Sequence, residues 1–91
     1  MIQMIKLWGK LITENRIENQ FVALCEENIE YQQQLKECIV MLCYHFDIEK
    51  PYWLDKNLKE YNKIKKTSFT QDNFIDGIHF DRLEIEVLEE K

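Results

Sequence analysis

The run Ile17-Glu18-Asn19-Gln20-Phe21-Val22-Ala23-Leu24-Cys25-Glu26-Glu27 decides how this 91-residue chain folds. Two periodicities compete in it. Read in steps of two, Ile17, Asn19, Phe21 and Ala23 fall on one face and Glu18, Gln20, Val22 and Leu24 on the other, which is strand spacing. Read in steps of four and three, Ile17, Phe21, Leu24, Asn28, Tyr31, Leu35, Cys38 and Leu42 form a heptad stripe, which would make one long helix. Three features favour the strand. Asn28 would place a polar residue in the helix seam, Asn28 is a good helix N-cap, and the Phe21-Val22 pair suits a pleated surface better than a helix. A helical reading would shrink the sheet to the two terminal strands and favour a coiled-coil dimer.

Upstream, Ile5 to Ile12 reads IKLWGKLI. Ile5, Leu7 and Leu11 alternate with Lys6, Trp8 and Lys10, and Gly9 marks a bulge or a close backbone approach. Glu14-Asn15 supplies a polar turn, so a hairpin joins this strand to the one beginning near Ile17.

Downstream, Tyr31, Leu35, Cys38, Ile39, Leu42 and Phe46 recur at helical spacing, and Gln32, Gln33, Gln34, Lys36 and Glu37 take the opposite face. This predicts an amphipathic helix from Asn28 to Phe46, ended before Pro51. Pro51-Tyr52-Trp53-Leu54 is an apolar connection. A second helix fits Asp55 to Lys65, capped by Asp55, lined by Leu58, Tyr61 and Ile64, with lysines at its C-terminal end. Thr70 can cap a short third turn or helix, Gln71 to Asp76, closed by Gly77 in the left-handed region with Phe74 facing inward. Leu83, Ile85 and Val87 alternate with Arg82, Glu84 and Glu86, a strand from Phe80 to Leu88 with one buried and one charged face. The charged face would also guard that strand if it lay at a sheet edge. The expected fold class is α+β. A small antiparallel or mixed sheet, made of the N-terminal hairpin and the C-terminal strand, packs against two main helices and a short third one. Residues 1–91 form a single domain.

Composition narrows function mostly by exclusion. The net charge is −5, and Lys63, Lys65 and Lys66 are the only basic cluster, so a nucleic-acid patch is disfavoured. Three cysteines and an N-terminus (Met1 to Lys6) without a charged n-region or long apolar h-region point to a reduced, cytoplasmic protein. No stretch approaches the apolar length of a membrane span.

Cys38 and Cys43 are five apart, on different sides of a helix, and neither CxxC nor HExxH occurs, so no metal or other cofactor is expected. Cys38 reads as core and Cys43 as semi-buried. A nucleophilic cysteine would need His45 or His79 as a base; nothing in the sequence places His79 near a thiol, and a Cys25–His79 pairing is only conceivable in three dimensions. The acidic residues read as helix-end and strand-edge charges, and the two isolated glycines make no phosphate loop. No catalytic residue and no small-molecule ligand is assigned. Trp8, Tyr52 and Trp53 are the candidate interaction surface, provided that Trp8 lies on an uncovered sheet face.

The strings LWGK (Leu7 to Lys10), FDIEKPYWLDKN (Phe46 to Asn57) and KTSFTQDNFIDGIHFDRLEIEVLEE (Lys66 to Glu90) resemble a family of short uncharacterised proteins of Gram-positive, largely anaerobic gut bacteria. The resemblance supports a strand and polar turn over Ile17 to Glu30. It implies structural roles for the motif residues, with Thr70 and Asp55 as caps and Trp53 as a plug between helix and sheet, and it carries no activity. The expected function is a small non-enzymatic protein-interaction or accessory domain in the cytoplasm, with a protein partner or a second copy as ligand. The alternatives are a nucleic-acid-associated regulator using Lys6, Lys10, Lys63, Lys65 and Lys66, and a small thiol-dependent enzyme.

Overall fold

The deciding run is a strand. The computed structural model describes residues 4–26 and 29–91. In chain order it has β1 (Ile5–Thr13), β2 (Arg16–Cys25), α1 (Tyr31–Phe46), α2 (Asp55–Ile64), β3 (Lys66–Phe69), a 3-10 turn (Gln71–Asn73) and β4 (Arg82–Glu90). Glu27 and Asn28 lie outside the described residues, as do Met1 to Gln3, and α1 is capped by Glu30 and begins at Tyr31, later than the expected start at an Asn28 cap. The fold is α+β: one antiparallel sheet in the order β2-β1-β4-β3, with the helices on one of its faces.

The hairpin closes through Glu14 and Asn15, both at positive φ (52° and 64°). Two such residues in a two-residue loop make a type I′ turn, whose twist matches that of the flanking strands. Asn15 tolerates this conformation readily. Glu14 is held in it by its N–H, which donates to Asp81 Oδ2 at 2.8 Å.

Alternation then sorts the side chains. Ile5, Leu7 and Leu11 of β1, Ala23 and Cys25 of β2, Phe69 of β3, and Leu83 and Ile85 of β4 are buried together with Cys38, Ile39, Leu42, Cys43 and Phe46 of α1 and Tyr61 of α2. Gly9 belongs to this face, and it is the close approach its sequence position suggested. A Cβ built on it would stand 2.7 Å from Leu42 Cδ2, so α1 crosses β1 where only glycine leaves room.

The sequence reading needs correction in several places. Helix α2 is capped by Leu54, not Asp55, which is its first helical residue. Its buried residues are Asn57 and Tyr61, whereas Leu58 and Ile64 are about half exposed (47% and 55%). The helix stops at Ile64 because Lys65 turns left-handed (φ 55°) and starts β3, a strand that four polar-alternating residues concealed. The short third element is present as a 3-10 turn capped by Thr70, but it ends at Asn73 rather than Asp76, and Gly77 has no positive φ. Cys43 is fully buried. β4 lies inside the sheet between β1 and β3, so its charges do not guard an edge.

A buried polar network explains the Asn-rich motifs. Asn57 Nδ2 donates to Thr67 Oγ1 (2.9 Å) and to the Ser68 carbonyl (2.8 Å). Its Oδ1 accepts from the Leu54 N–H (3.1 Å) and from Asn73 Nδ2 (2.7 Å). Asn73 in turn donates to the Tyr52 carbonyl (2.7 Å) and accepts from the Thr70 N–H (3.0 Å). Two adjacent amides thus tie the α1–α2 connection, the start of α2, β3 and the 3-10 turn into one block. Both asparagines are essentially without solvent contact (2% and 0%), so each of these bonds replaces one that water would otherwise supply.

Candidate interaction surface

The groups that could carry chemistry are dispersed or sealed. All three thiols are free and buried. Burial pushes the Cys38 thiol up to about 12 and the Cys43 thiol up to about 11, far from the thiolate a nucleophile needs. Cys38 Sγ sits 3.8 Å and 3.9 Å from the Ile5 and Ala23 carbonyls, packed between helix and sheet. His45 stacks on Phe21, and His79 lies edge-on to Phe80. Among the described residues no three His, Cys, Asp or Glu side chains converge where a metal ion could be held.

Four of the five basic residues singled out in the sequence are matched by carboxylates, Lys63 being the one without an ion pair among the described residues. Lys6 pairs with Glu89 (3.4 Å), Lys10 with Glu84 (3.3 Å), Lys65 with Glu90 (3.5 Å) and Lys66 with Glu84 (2.9 Å). Burial alone would raise the Glu84 carboxyl, but Lys66 and Lys10 outweigh it and hold the group below the usual carboxylate range. At α1's start, the Tyr31 and Tyr61 hydroxyls share a 2.6 Å hydrogen bond, and Lys65 reaches Tyr31. Burial and that hydrogen bond push Tyr61 upward. Burial would lower Lys65, yet Tyr31 and Glu90 keep it raised.

The three aromatics singled out in the sequence do not form one patch. Trp8 lies on the helix-free face of the sheet, between Val22 on β2 and Glu86 on β4. Its Nε1 donates to Gln20 Oε1 (3.1 Å), and Lys10 Nζ sits 4.1 Å above its ring. Trp53 lies in the helix layer, edge-on to Tyr61 and to Phe69 at centroid distances of 5.5 Å and 5.1 Å. Tyr52 is exposed on the rim of a groove that it lines together with Trp53, Ile39, Val40 and Pro51, so two of the three aromatics share one site and Trp8 stands apart.

A contiguous apolar surface exists elsewhere, along β2. This strand ends the sheet, and among the described residues no strand pairs with its outer side. The edge is visible at Gln20, whose N–H donates to its neighbour's Asn19 Oδ1 (2.9 Å), a local stand-in for a strand partner. On the helix side of this edge, Phe21 stacks flat on His45 (4.0 Å, 13°). With Val40, Met41 and Tyr44 these rings line an open groove of about 630 Å³. Tyr44 is 88% exposed. On the sheet's open face the same edge presents Val22 and Leu24, both exposed. From Asn19 to Cys25 the strand carries no charge, proline or glycine, so it lacks the usual devices that keep sheet edges apart.

Sequence reasoning passed over Phe21, Val40, Met41 and Tyr44. The signal was present: the C-terminal half of α1, Ile39-Val40-Met41-Leu42-Cys43-Tyr44, is apolar on all sides rather than along one stripe. A helix with only one buried face does not require that.

Comparison with family models, with curated proteins and with solved structures finds no match to this chain. No described helix is long and apolar enough to cross a membrane.

Proposed function

We propose that this protein is a non-enzymatic interaction domain that binds a protein partner along the β2 edge and the adjoining face of α1. The single observation that carries this reading is the outer edge of β2 from Asn19 to Cys25, free of charge, proline and glycine beyond the bulge at Glu18 and flanked on both sides by exposed apolar side chains. A strand edge offers a row of backbone donors and acceptors, and flanking pockets select the side chains that come with an added strand. Charge balance speaks against the nucleic-acid reading, since of its five lysines Lys6, Lys10, Lys65 and Lys66 are already paired with glutamates and only Lys63 is not. Thiol burial speaks against an enzyme built on Cys38 or Cys43. Three free, unpaired cysteines suit a reducing compartment such as the cytoplasm.

The test is capture of partners on immobilised protein, comparing the wild-type chain with Tyr44→Glu. Tyr44 is almost wholly exposed, so the substitution leaves the core untouched. The reading predicts that bound protein is lost from Tyr44→Glu while its circular dichroism is unchanged. Equal capture by both would refute it.

A further inference from the structure

We infer that the occupant of the β2 edge is a second copy of this chain, added antiparallel about a two-fold axis so that two four-stranded sheets become one of eight strands. The inference rests on the proposed role of this edge and names what covers it.

Symmetry supplies the first argument. In an antiparallel pairing of one strand with its own copy, one residue lies on the two-fold axis and every other pair is made twice. β2 runs from Arg16 to Cys25, and Phe21 stands at its middle. Antiparallel pairing about Phe21 sets Phe21 against Phe21 and Gln20 against Val22. The outward set that Gln20 marks therefore meets its own kind, as ladder hydrogen bonding requires. The stacked Phe21–His45 pair of each copy then forms a four-ring layer. Tyr44 and Met41 of both helices close over it.

Charge selects the register. In the Phe21-centred pairing, Arg16 at one end of the strand faces Glu26 just beyond the other end, twice per dimer. Glu18 falls opposite Leu24, but its carboxylate is turned to its own hairpin, accepting from Thr13 Oγ1 at 2.6 Å. Moving the axis to Val22 would instead place Glu18 against Glu26, like charge on like.

Area is the third argument. Ile17, Phe21, Val22, Leu24, Val40, Met41 and Tyr44 are between 37% and 88% exposed. Those on the helix side, Phe21, Val40, Met41 and Tyr44, present roughly 400 Å², and Val22 and Leu24 add roughly 150 Å² on the open face, so strand addition would cover apolar side chains on both faces of the sheet at once.

Light scattering across about 1 to about 500 μM protein tests the inference at the affinities such an interface gives. The expected mass rises to twice the 11.2 kDa of the chain, and Tyr44→Glu holds it at the single-chain value. Phe21→Cys, oxidised by dioxygen with copper–phenanthroline, is expected to give a disulfide-linked dimer across the axis, while the buried native thiols stay unlinked. A single-chain mass at the highest concentration overturns the inference, as does a dimer indifferent to Tyr44→Glu or a Phe21→Cys protein that does not cross-link. If the chain is monomeric yet still captures a partner sensitive to Tyr44→Glu, the second copy is refuted and the interaction edge stands. If neither occurs, both fall.

Discussion

Replacing Asn57 by leucine should cost about 4 kcal/mol of folding stability, working from two lost buried contacts at about 2 kcal/mol each. Leucine keeps the branching at Cγ but is the larger side chain, so overpacking of this sealed site would add to the hydrogen-bonding loss counted here. Four groups lose a partner: the Leu54 N–H, the Asn73 amide, the Thr67 hydroxyl and the Ser68 carbonyl. Of their owners, Asn73 and Thr67 are sealed from water (0% and 1% exposed), and these two contacts enter the sum. The Leu54 and Ser68 backbone groups are only partly buried and recover a share of their bonding from solvent. A chain of this length holds only about 5 to 14 kcal/mol in total, so the variant loses more than a quarter of its margin, and its midpoint falls by roughly 20 °C. Urea unfolding of wild type and variant, followed by circular dichroism, reads the difference directly. Asn73→Leu alone should cost a similar amount. The double variant should cost less than the sum, because each single change strands the other amide. A loss below about 1 kcal/mol for Asn57→Leu, or strict additivity in the cycle, would refute the claim that the two asparagines act as one locked unit.

Gly9→Ala should destabilise by about 2 kcal/mol because its Cβ meets Leu42 at 2.7 Å, and Leu42→Val introduced alongside should recover part of that, both read by thermal unfolding. Glu84 has a folded-state pKa below its unfolded value, so its contribution to stability is fully present above the unfolded value and is lost as the pH falls through the folded one. Stability measured from pH 7 down to about pH 3 should therefore decline in wild type and decline less in Glu84→Gln. That variant should start about 2 kcal/mol lower, since Lys10 is left nearly buried without its counter-charge. Cys38 and Cys43, with thiols pushed up to about 12 and about 11, should label slowly with iodoacetamide at neutral pH and rapidly once urea is added, as mass spectrometry would show.

Much of the architecture was legible because it rests on periodicity. Ile5, Leu7 and Leu11, the α1 stripe from Tyr31 to Phe46, and Leu83, Ile85 and Val87 all lie where alternation or helical spacing put them. The run from Ile17 was harder, since Phe21, Leu24 and Leu42 satisfy a heptad as well as a strand. The Glu14-Asn15 turn decides it, because two left-handed residues fold the chain back onto β1 before any heptad can form. What failed is polar burial. Leu58 and Ile64 looked like the inner face of α2, but Asn57 took that place because Thr67, Ser68 and Asn73 satisfy its amide, a condition set by residues 10 to 16 positions away. β3 was concealed for a related reason: Lys66, Thr67 and Ser68 are strand residues only because β4 pairs with them. The interaction surface was only half legible. Trp8, Tyr52 and Trp53 drew attention by size, yet Trp53 is packed on Tyr61 and Phe69 and the exposed apolar run follows β2 and the outer face of α1. Whether a strand is an edge depends on sheet order, which no local pattern in β2 encodes.

Hydrogen–deuterium exchange resolved to single amides, measured by NMR at low and high protein concentration, tests the central claim most directly. If the β2 edge is the binding surface, the amides of Gln20, Val22 and Leu24 exchange freely in dilute protein and become protected as concentration rises, while those of β1 and β4 are protected throughout. Unchanged, rapid exchange at all three β2 positions, both concentrated and in the presence of captured partner, would contradict it.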